Sequence, residues 1–107
     1  MNLNNEFVFR FAHEFTDIPI GRFRTAGDLS AEVFRDDILI PLLANHNKVI
    51  LDLNGVFGFG SSFLDEAFCG IIRRKLYTVD ELLTKLEIIC DDDPMTVRQI
   101  HKYLNNC

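Results

Sequence analysis

The sequence predicts one α/β domain, with a mostly parallel or mixed sheet of about four strands and helices packed against it. Three observations predict this class. Short β-branched and aromatic stretches alternate with longer stretches whose apolar residues recur at helical spacing. The connections between the short stretches are long enough for parallel strands with right-handed crossovers. With 107 residues, 48% of them hydrophobic, the chain (1–107) forms a single domain that can bury a core.

Charge and targeting signals are those of an acidic cytoplasmic protein. The net charge is -5, so nucleic acid and anionic membrane surfaces, which attract basic patches, are not expected partners. The amino terminus lacks the pattern of a secretion signal, and no apolar run approaches the length of a membrane span. We therefore expect a protein that stays in the cytoplasm.

The cysteines support the same expectation. Cys69, Cys90 and Cys107 are odd in number and lack CxxC spacing, which favours reduced thiols over a disulfide framework. We expect Cys69 and Cys90 to be small core residues. Cys107 is expected to be a loose terminal thiol that can oxidise in a purified sample.

The first predicted strand covers 6–11, where phenylalanine occupies every second position, as in a half-buried edge strand. The segment 16–28 contains one proline and two glycines, which predict a turn with room for one short strand around 18–23. Arg22 and Arg24 in this segment can hold a phosphate or a partner carboxylate bidentately. Plain solvated charge is the more frequent role of such pairs, so both interpretations stay open.

A helix is predicted to begin near Asp28 or Ser30, which are both favourable capping residues. Pro41 cannot donate to the carbonyl of Asp37, which predicts a kink or two shorter helices joined at Ile40. The buried stripe of this helix comprises Val33, Phe34, Ile38, Leu42 and Leu43.

The stretch 49–53 is apolar with little alternation, which predicts a central strand covered on both faces. A glycine-spaced loop follows, and a helix is predicted over 61–74. Ser61 and Ser62 stand at its start, where a serine hydroxyl can cap the backbone N–H groups. Ser62 and Asp65 form an approximate capping box, although the same helix end can also stabilise an anion or a phosphoryl group.

The rest of the chain predicts two more helices and a further parallel strand. Residues 78–81 form a capping box for a short helix, and 86–90 have the composition of a strand. The acidic triplet 91–93 suggests a magnesium site, but the sequence supplies no further ligands. We instead expect Asp93 to cap a last helix over 94–105 that begins with Pro94. The buried residues of that helix are expected to be Val97, Ile100, Tyr103 and Leu104.

No pattern of catalytic residues is found, so the sequence predicts a binding protein without enzymatic activity or cofactor. The serines do not fit the Gly-x-Ser-x-Gly elbow of hydrolases, and no Gly-Lys-Ser or Gly-Lys-Thr follows the glycines. His13, His46 and His101 lack the spacing of metal ligands, and no metal site is predicted.

From Asp52 to Ser62 the chain resembles the phosphorylation-site segment of STAS domains, the fold of bacterial anti-sigma factor antagonists and of the cytoplasmic tails of sulphate transporters. In that family a strand leads through a short loop to Asp-Ser-Ser-Gly at a helix start. A partner kinase phosphorylates the first serine of the motif, and Ser61 falls on that serine. Gly60 and Phe63 stand where the motif has Asp and Gly.

Three further patterns make the chain more similar to the bacterial family of STAS-like domains of unknown function. These are Gly21-Arg22 and the Ser-x-Glu-x-Phe-Arg pattern at 30–35, together with Gly-Ser-Ser-Phe-Leu-Asp-Glu-Ala-Phe at 60–68. The similarity covers nearly the whole chain. It implies a small STAS-like domain with a sheet and packed helices.

The resemblance implies a regulatory signalling module, similar to an anti-sigma factor antagonist, that docks a protein partner through the loop from Gly55 to Phe63 and the following helix. A kinase-like ATPase or an anti-sigma factor would be such a partner. Ser61, with Ser62 beside it, is the candidate phosphorylation site, and its phosphorylation would dissociate the partner by repulsion and desolvation. The expected partner-binding residues are Phe57, Gly58, Phe59, Gly60 and Phe63.

Two alternatives keep the fold and omit the phosphorylation switch. In the first, Arg22, Arg24 and the backbone amides at Ser61 and Ser62 hold an anion or a nucleotide, and the protein is a sensor. In the second, the protein is a structural subunit of a larger complex that forms a homodimer through its edge strand at 7–11.

Overall fold

A computed structural model describes residues 5–107 of the chain. Within this range one parallel sheet contains three strands in the spatial order β1-β2-β3. The strands are β1 (Glu6–Arg10), β2 (Lys48–Asp52) and β3 (Leu86–Ile89). In register, Phe9 lies beside Leu51 and Leu51 beside Ile88. The α/β class and the central position of β2 are confirmed.

The expected fourth strand is absent from the described residues. The segment around 18–23 forms no strand, and only a short 3-10 turn, Arg24–Ala26, follows it. Gly21 adopts a φ of 94°, which ends extended structure there. The carbonyl oxygens of Gly21 and Arg22 accept bonds of 3.0 Å from the N–H groups of Ala31 and Glu32, so they serve a helix start instead of a sheet ladder.

Within residues 5–107, five helices accompany the sheet. α1 is a single turn, Phe11–Glu14, directly after β1. α2 comprises three consecutive segments, Ala31–Val33, the π-helical Phe34–Leu39, and Ile40–Asn45. α3 is built in the same way from Ser61–Leu64, the π-helical Asp65–Cys69, and Gly70–Arg73. The last two helices are α4, Val79–Lys85, and α5, Pro94–Asn105. None of the helices within 5–107 is long and apolar enough to cross a membrane.

The predicted break at Ile40 does not occur, because α2 continues through Pro41 with helical dihedral angles at both segment junctions, although the helix changes from π to α geometry at Ile40. The N–H of Ile40 donates to the carbonyl of Arg35, five residues back, which is the π-helical pattern. The wider π turn displaces the carbonyl that the proline ring would otherwise contact, and this lets the helix accept Pro41 without breaking.

The prediction that β2 is covered on both faces is also wrong. Val49 and Leu51 are fully buried, whereas Ile50 between them is partly exposed. The helices cover one face of the sheet, and the buried side chains of that face join theirs in one core cluster. The opposite face, which we call the outer face, carries Glu6, Val8, Arg10, Lys48, Ile50, Asp52, Glu87 and Ile89.

Phenylalanine rings fill the core near the carboxyl end of β1. The ring of Phe11 lies 4.9 Å from that of Phe34 and 6.0 Å from that of Phe63, measured between centroids. Phe59 packs on Phe11 and Phe63 at 5.3 and 5.7 Å. Edge-to-face contacts of this kind add to the stability that burial provides. The rings therefore hold α1, α2 and α3 together beneath the loop that precedes α3.

The prediction of three free thiols is wrong for two of the cysteines. Cys69 and Cys107 form a disulfide with a Cα–Cα distance of 5.5 Å, which ties the chain's last residue to α3. Only Cys90 is a free cysteine in the described residues, and it is buried as expected. Burial, with the nearby Asp92 carboxylate, raises the pKa of the Cys90 thiol to about 11, so the thiol is protonated and unreactive at neutral pH.

In the carboxyl-terminal third of the chain, the helices agree closely with those that the sequence predicts. The capping box at the start of α4 is present in both directions, with Thr78 accepting from the N–H of Glu81 and Glu81 accepting from the N–H of Thr78. Pro94 is the first residue of α5, and Ile100 and Leu104 are buried in the core. Asp93 occupies the N-cap position, but its carboxylate accepts from the Thr96 hydroxyl and makes no backbone cap.

Candidate functional site

The segment 54–60, which we call the site loop, connects β2 to α3 at the carboxyl end of the sheet. Gly55, its second residue, has a φ of 86°, and the Gly55 N–H donates to the Asp92 carboxylate at 2.9 Å. In return, the N–H of Asp92 donates to Oδ1 of Asn54 at 3.0 Å. The Gly55 hydrogen bond, assisted by Cys90, lowers the pKa of Asp92, which therefore remains charged. Asp92, the middle residue of the acidic triplet, thus holds the site loop in place by hydrogen bonds.

Phe57 is the most exposed large hydrophobic residue in the described chain, at 81%. Its side chain has no place in the core cluster, and its backbone N–H donates to the carbonyl of Asp17 at 2.9 Å. This bond puts Phe57 beside the segment that carries Ile18 and Ile20, which are 52% and 67% exposed. The two loops therefore meet at this hydrogen bond, and each carries exposed apolar residues.

The five expected partner-binding residues differ in accessibility. Gly58 and Gly60 are exposed together with Phe57, whereas Phe59 is half-buried against Phe11. Phe63 is only 2% exposed and belongs to the core. Its assignment to a docking surface is therefore corrected, because a partner could reach its ring only if α3 moved away from the sheet.

The serines lie where the sequence predicted, but they do not cap the helix. Gly60 is the N-cap residue of α3, and its carbonyl oxygen accepts from the N–H groups of Phe63 and Leu64 at 3.1 and 3.2 Å. Ser61 and Ser62 are the first two helical residues, and both are exposed. No side chain caps this helix end within the described chain, so the predicted serine cap is wrong.

The expected capping box of Ser62 with Asp65 is absent because the Asp65 carboxylate is engaged elsewhere. Arg22 donates to it at 2.9 Å, and Arg73 donates at 3.1 Å. Burial alone would raise the pKa of Asp65, but these two hydrogen bonds outweigh it and the pKa is lowered. The segment before α2 is thereby attached to the first turns of α3.

Arg22 and Arg24, the candidate anion-binding residues, both bind carboxylates of the chain itself. Arg22 contacts Asp65 and also Glu66, at 3.2 Å. Arg24 holds Asp37 bidentately at 2.6 and 2.9 Å. The hydrogen bonds to Asp65 and Asp37, respectively, raise the pKa of each guanidinium. An external anion would have to displace these carboxylates, which weighs against the anion-sensing alternative.

A buried ion pair joins the two π segments, and the sequence analysis missed it. Arg35 in α2 is 5% exposed and bonds Glu66 in α3 through its guanidinium, which also contacts the Glu66 carbonyl oxygen at 3.1 Å. Asp36 accepts from Arg35 at 2.7 Å. Burial opposes the charge on Arg35, but the hydrogen bonds that it donates to Asp36 and Glu66 outweigh burial and raise its pKa. A Cβ on Gly70 would overlap this guanidinium, so glycine makes room for it.

We expect acid to weaken the ion pairs made by the carboxylates of α2 and α3. The pKa of Asp36 is lowered from 3.8, first by its Arg35 hydrogen bond, and that of Asp65 is also lowered. A carboxylate whose pKa is depressed by folding stabilises the fold above its unfolded pKa, and this stabilisation is lost as pH falls through the folded value. The free energy of unfolding should therefore fall as pH drops below 3.8.

Urea unfolding measured from about pH 6 to about pH 2.5 tests this prediction. Asp36→Asn should flatten the decline in the acid range. Asp28→Asn is the matched control, because it removes an exposed carboxylate that makes no ion pair in the described part of the chain. Equal slopes for Asp36→Asn and the unmodified protein would contradict the prediction.

Comparison with known proteins gives one match. A family model described as a STAS-like domain of unknown function matches residues 30–95, which is more than half of the chain. The matched region runs from the N-cap of α2 to the start of α5, so it includes the site loop, Ser61 and the Arg35–Glu66 ion pair. No curated protein and no solved structure matches the chain.

Proposed function

Because the chain belongs to the family of STAS-like domains of unknown function, we propose that it is a regulatory module that docks a protein partner through the site loop and the start of α3. It acts by binding and not as an enzyme. A kinase-like ATPase or an anti-sigma factor is the kind of partner that we propose. In open α/β sheets, the carboxyl ends of the strands are where binding sites collect, and the site loop lies at that end.

The single observation that carries the proposal is the exposure of Phe57 beside the first two residues of α3. Exposed aromatic residues are frequent anchors of protein interfaces. Ile18 and Ile20 extend the apolar surface, and Phe59 and Phe63 support the site loop from the core. A large apolar residue on a braced loop can bind a partner without a large loss of conformational entropy.

The exposed hydroxyl of Ser61 supports a phosphorylation switch at the same surface. A phosphate would add about -1.5 to -2 charge at pH 7, and the amino end of a helix tolerates negative charge. Ser61 lies one helical turn before Asp65, so the phosphate would approach the carboxylate that Arg22 and Arg73 hold. In this proposal the added charge repels the partner and makes the docked surface costly to desolvate.

Binding of a kinase-like ATPase encoded beside this chain tests the docking surface. Phe57→Ala should cost about 2 kcal/mol of binding energy, roughly 30-fold in Kd, because an interface anchor is lost. Leu76→Ala is the matched control, since Leu76 is also an exposed apolar residue but lies after the far end of α3. Equal affinities of the two variants would exclude the site loop as the anchor.

The switch has its own measurement. After incubation with the ATPase and ATP, mass spectrometry of peptides from the unmodified protein should locate phosphate on Ser61, and Ser61→Asp should weaken binding about tenfold. Ser61→Ala should retain binding and lose the phosphate. If no phosphate is found and Ser61→Asp binds like the unmodified protein, the switch is refuted, while the docking surface is still judged by Phe57.

A further inference from the structure

The outer face of the sheet is uncovered, which is unusual for parallel strands. Parallel sheets occur almost always with both faces packed, because their crossover helices lie on the faces. Here Val8 is 48% exposed, and Ile50 beside it on the central strand is partly exposed. On β1 and β2 an apolar residue lies in the middle of the face with charged residues at both ends, whereas on β3 Glu87 lies beside Ile50 and Ile89 lies beside Asp52.

The charges of the outer face follow a regular order. On β1, Glu6 and Arg10 flank Val8, and on β2, Lys48 and Asp52 flank Ile50. The register sets Glu6 beside Lys48 and Arg10 beside Asp52. Each of these strands therefore presents opposite charges at its two ends with an apolar residue between them. Such a surface is complementary to itself when one copy is reversed along the strand direction.

We propose that the outer face packs against the outer face of a second copy of this chain, with the strands of the two copies antiparallel. The twofold axis lies in the interface, perpendicular to the strands, so Ile50 faces Ile50 of the second copy. Glu6 then opposes Arg10 of the second copy, and Lys48 opposes Asp52. This proposal concerns a different surface from the site loop and does not depend on the proposed function.

The charges select this orientation over the other twofold arrangement. If the strands of the two copies ran parallel, Lys48 would face Lys48 and Asp52 would face Asp52, and like charges facing each other are repulsive. In the antiparallel arrangement one like pair remains, Glu87 against Glu87 of the second copy. Lys48 neutralises much of that charge, because its Nζ lies 3.0 Å from the Glu87 carboxylate.

The size of the face sets the strength of the association. Three strands of four or five residues cover a rectangle of roughly 17 by 14 Å. The area of this rectangle is well below the ~800 Å² that each partner buries in a standard stable interface. The dimer is therefore weak and reversible and forms at high protein concentration. This arrangement differs from pairing along the edge of β1, which would use backbone hydrogen bonds and leave the outer face free.

Sedimentation equilibrium from about 10 μM to about 1 mM tests the proposal, because a weak dimer dissociates within that range. Glu6→Arg sets two arginines against each other at each end of the interface, and Arg10→Glu sets two glutamates against each other. Each variant alone should dimerise about tenfold more weakly than the unmodified protein. Both residues are exposed on an edge strand, so circular dichroism should show that the fold is kept.

An equimolar mixture of Glu6→Arg and Arg10→Glu provides the decisive test. In a mixed dimer, the arginine at position 6 of one copy faces the glutamate at position 10 of the other, and the unmodified Glu6 faces the unmodified Arg10. The mixture should therefore recover the association of the unmodified protein. A monomer at the highest concentration, or self-association that neither substitution weakens, would overturn the proposal.

Discussion

Reduction of the disulfide between Cys69 and Cys107 is expected to lower the free energy of unfolding by about 4 kcal/mol, the loop-closure entropy of a cross-link of this length. The two cysteines are 38 residues apart in the sequence, so the disulfide restricts a long segment of the unfolded chain. For a domain of this size the melting temperature should fall on the order of 15 °C. Urea unfolding with and without a reducing agent measures the effect.

Two variants separate the disulfide from other effects of the reductant. Cys107→Ser should be as unstable as the reduced protein and should not respond to reductant. Cys90→Ala leaves the disulfide intact, so its stability should still fall on reduction by the same amount as that of the unmodified protein. Equal stability of the oxidised and reduced forms would show that this cross-link contributes little.

The disulfide also bears on where the protein resides. The expectation of a cytoplasmic protein relied partly on three reduced thiols. Cys69 and Cys107 form a disulfide and therefore no longer support that expectation. Disulfides persist mainly in oxidising compartments, and in the cytosol they are usually transient. The intact mass of the protein isolated under alkylating conditions would show which state exists in the cell.

Glu66→Leu is expected to cost about 3 kcal/mol of stability, because the buried charge of Arg35 loses one of its two carboxylate partners. Arg35 would keep Asp36 but lose the carboxylate and the side-chain contact that join α2 to α3. Thermal or urea unfolding of the variant measures the cost. Glu87→Leu, on the outer face, serves as the control. Glu81→Leu is unsuitable because it would also remove the cap of α4.

The double variant Arg35→Met/Glu66→Leu distinguishes a charge effect from a packing effect. Replacement of both members of a buried ion pair by apolar side chains of similar size is often neutral or stabilising. The double variant should therefore recover most of the stability that Glu66→Leu loses. If the two substitutions instead add their costs, the pair contributes mainly through packing, and the charge argument fails.

Local patterns were sufficient for much of the fold. The apolar stretch that became β2, the two-way capping box of α4 and Pro94 at the start of α5 depend on neighbouring residues, so the sequence revealed them. The exposed serines at the start of α3 followed from the end of a strand and the beginning of a helical stripe. The family resemblance covered the same segment.

The features that the sequence did not reveal depend on which elements meet. Little alternation at 49–53 suggested two covered faces, but only the arrangement of the helices decides which face is covered. The burial of Arg35 was not predicted, because it depends on the π segment of α2 and on Glu66 of α3, to which the Arg35 guanidinium donates. Cys69 and Cys107 come together because α5 packs against the π segment of α3. None of these contacts has a signal within a short window of sequence.

The two π segments restrict how this domain can change its length. A π turn holds about one residue more than an α turn, so deletion of one residue from either segment would return it to α-helical geometry and move the side chains within it. Arg35 and Glu66 each lie within one of these segments, so such a deletion would disturb the ion pair between them. Insertions and deletions in this lineage should therefore fall in the connecting loops, while the helices that carry this ion pair keep their residue count.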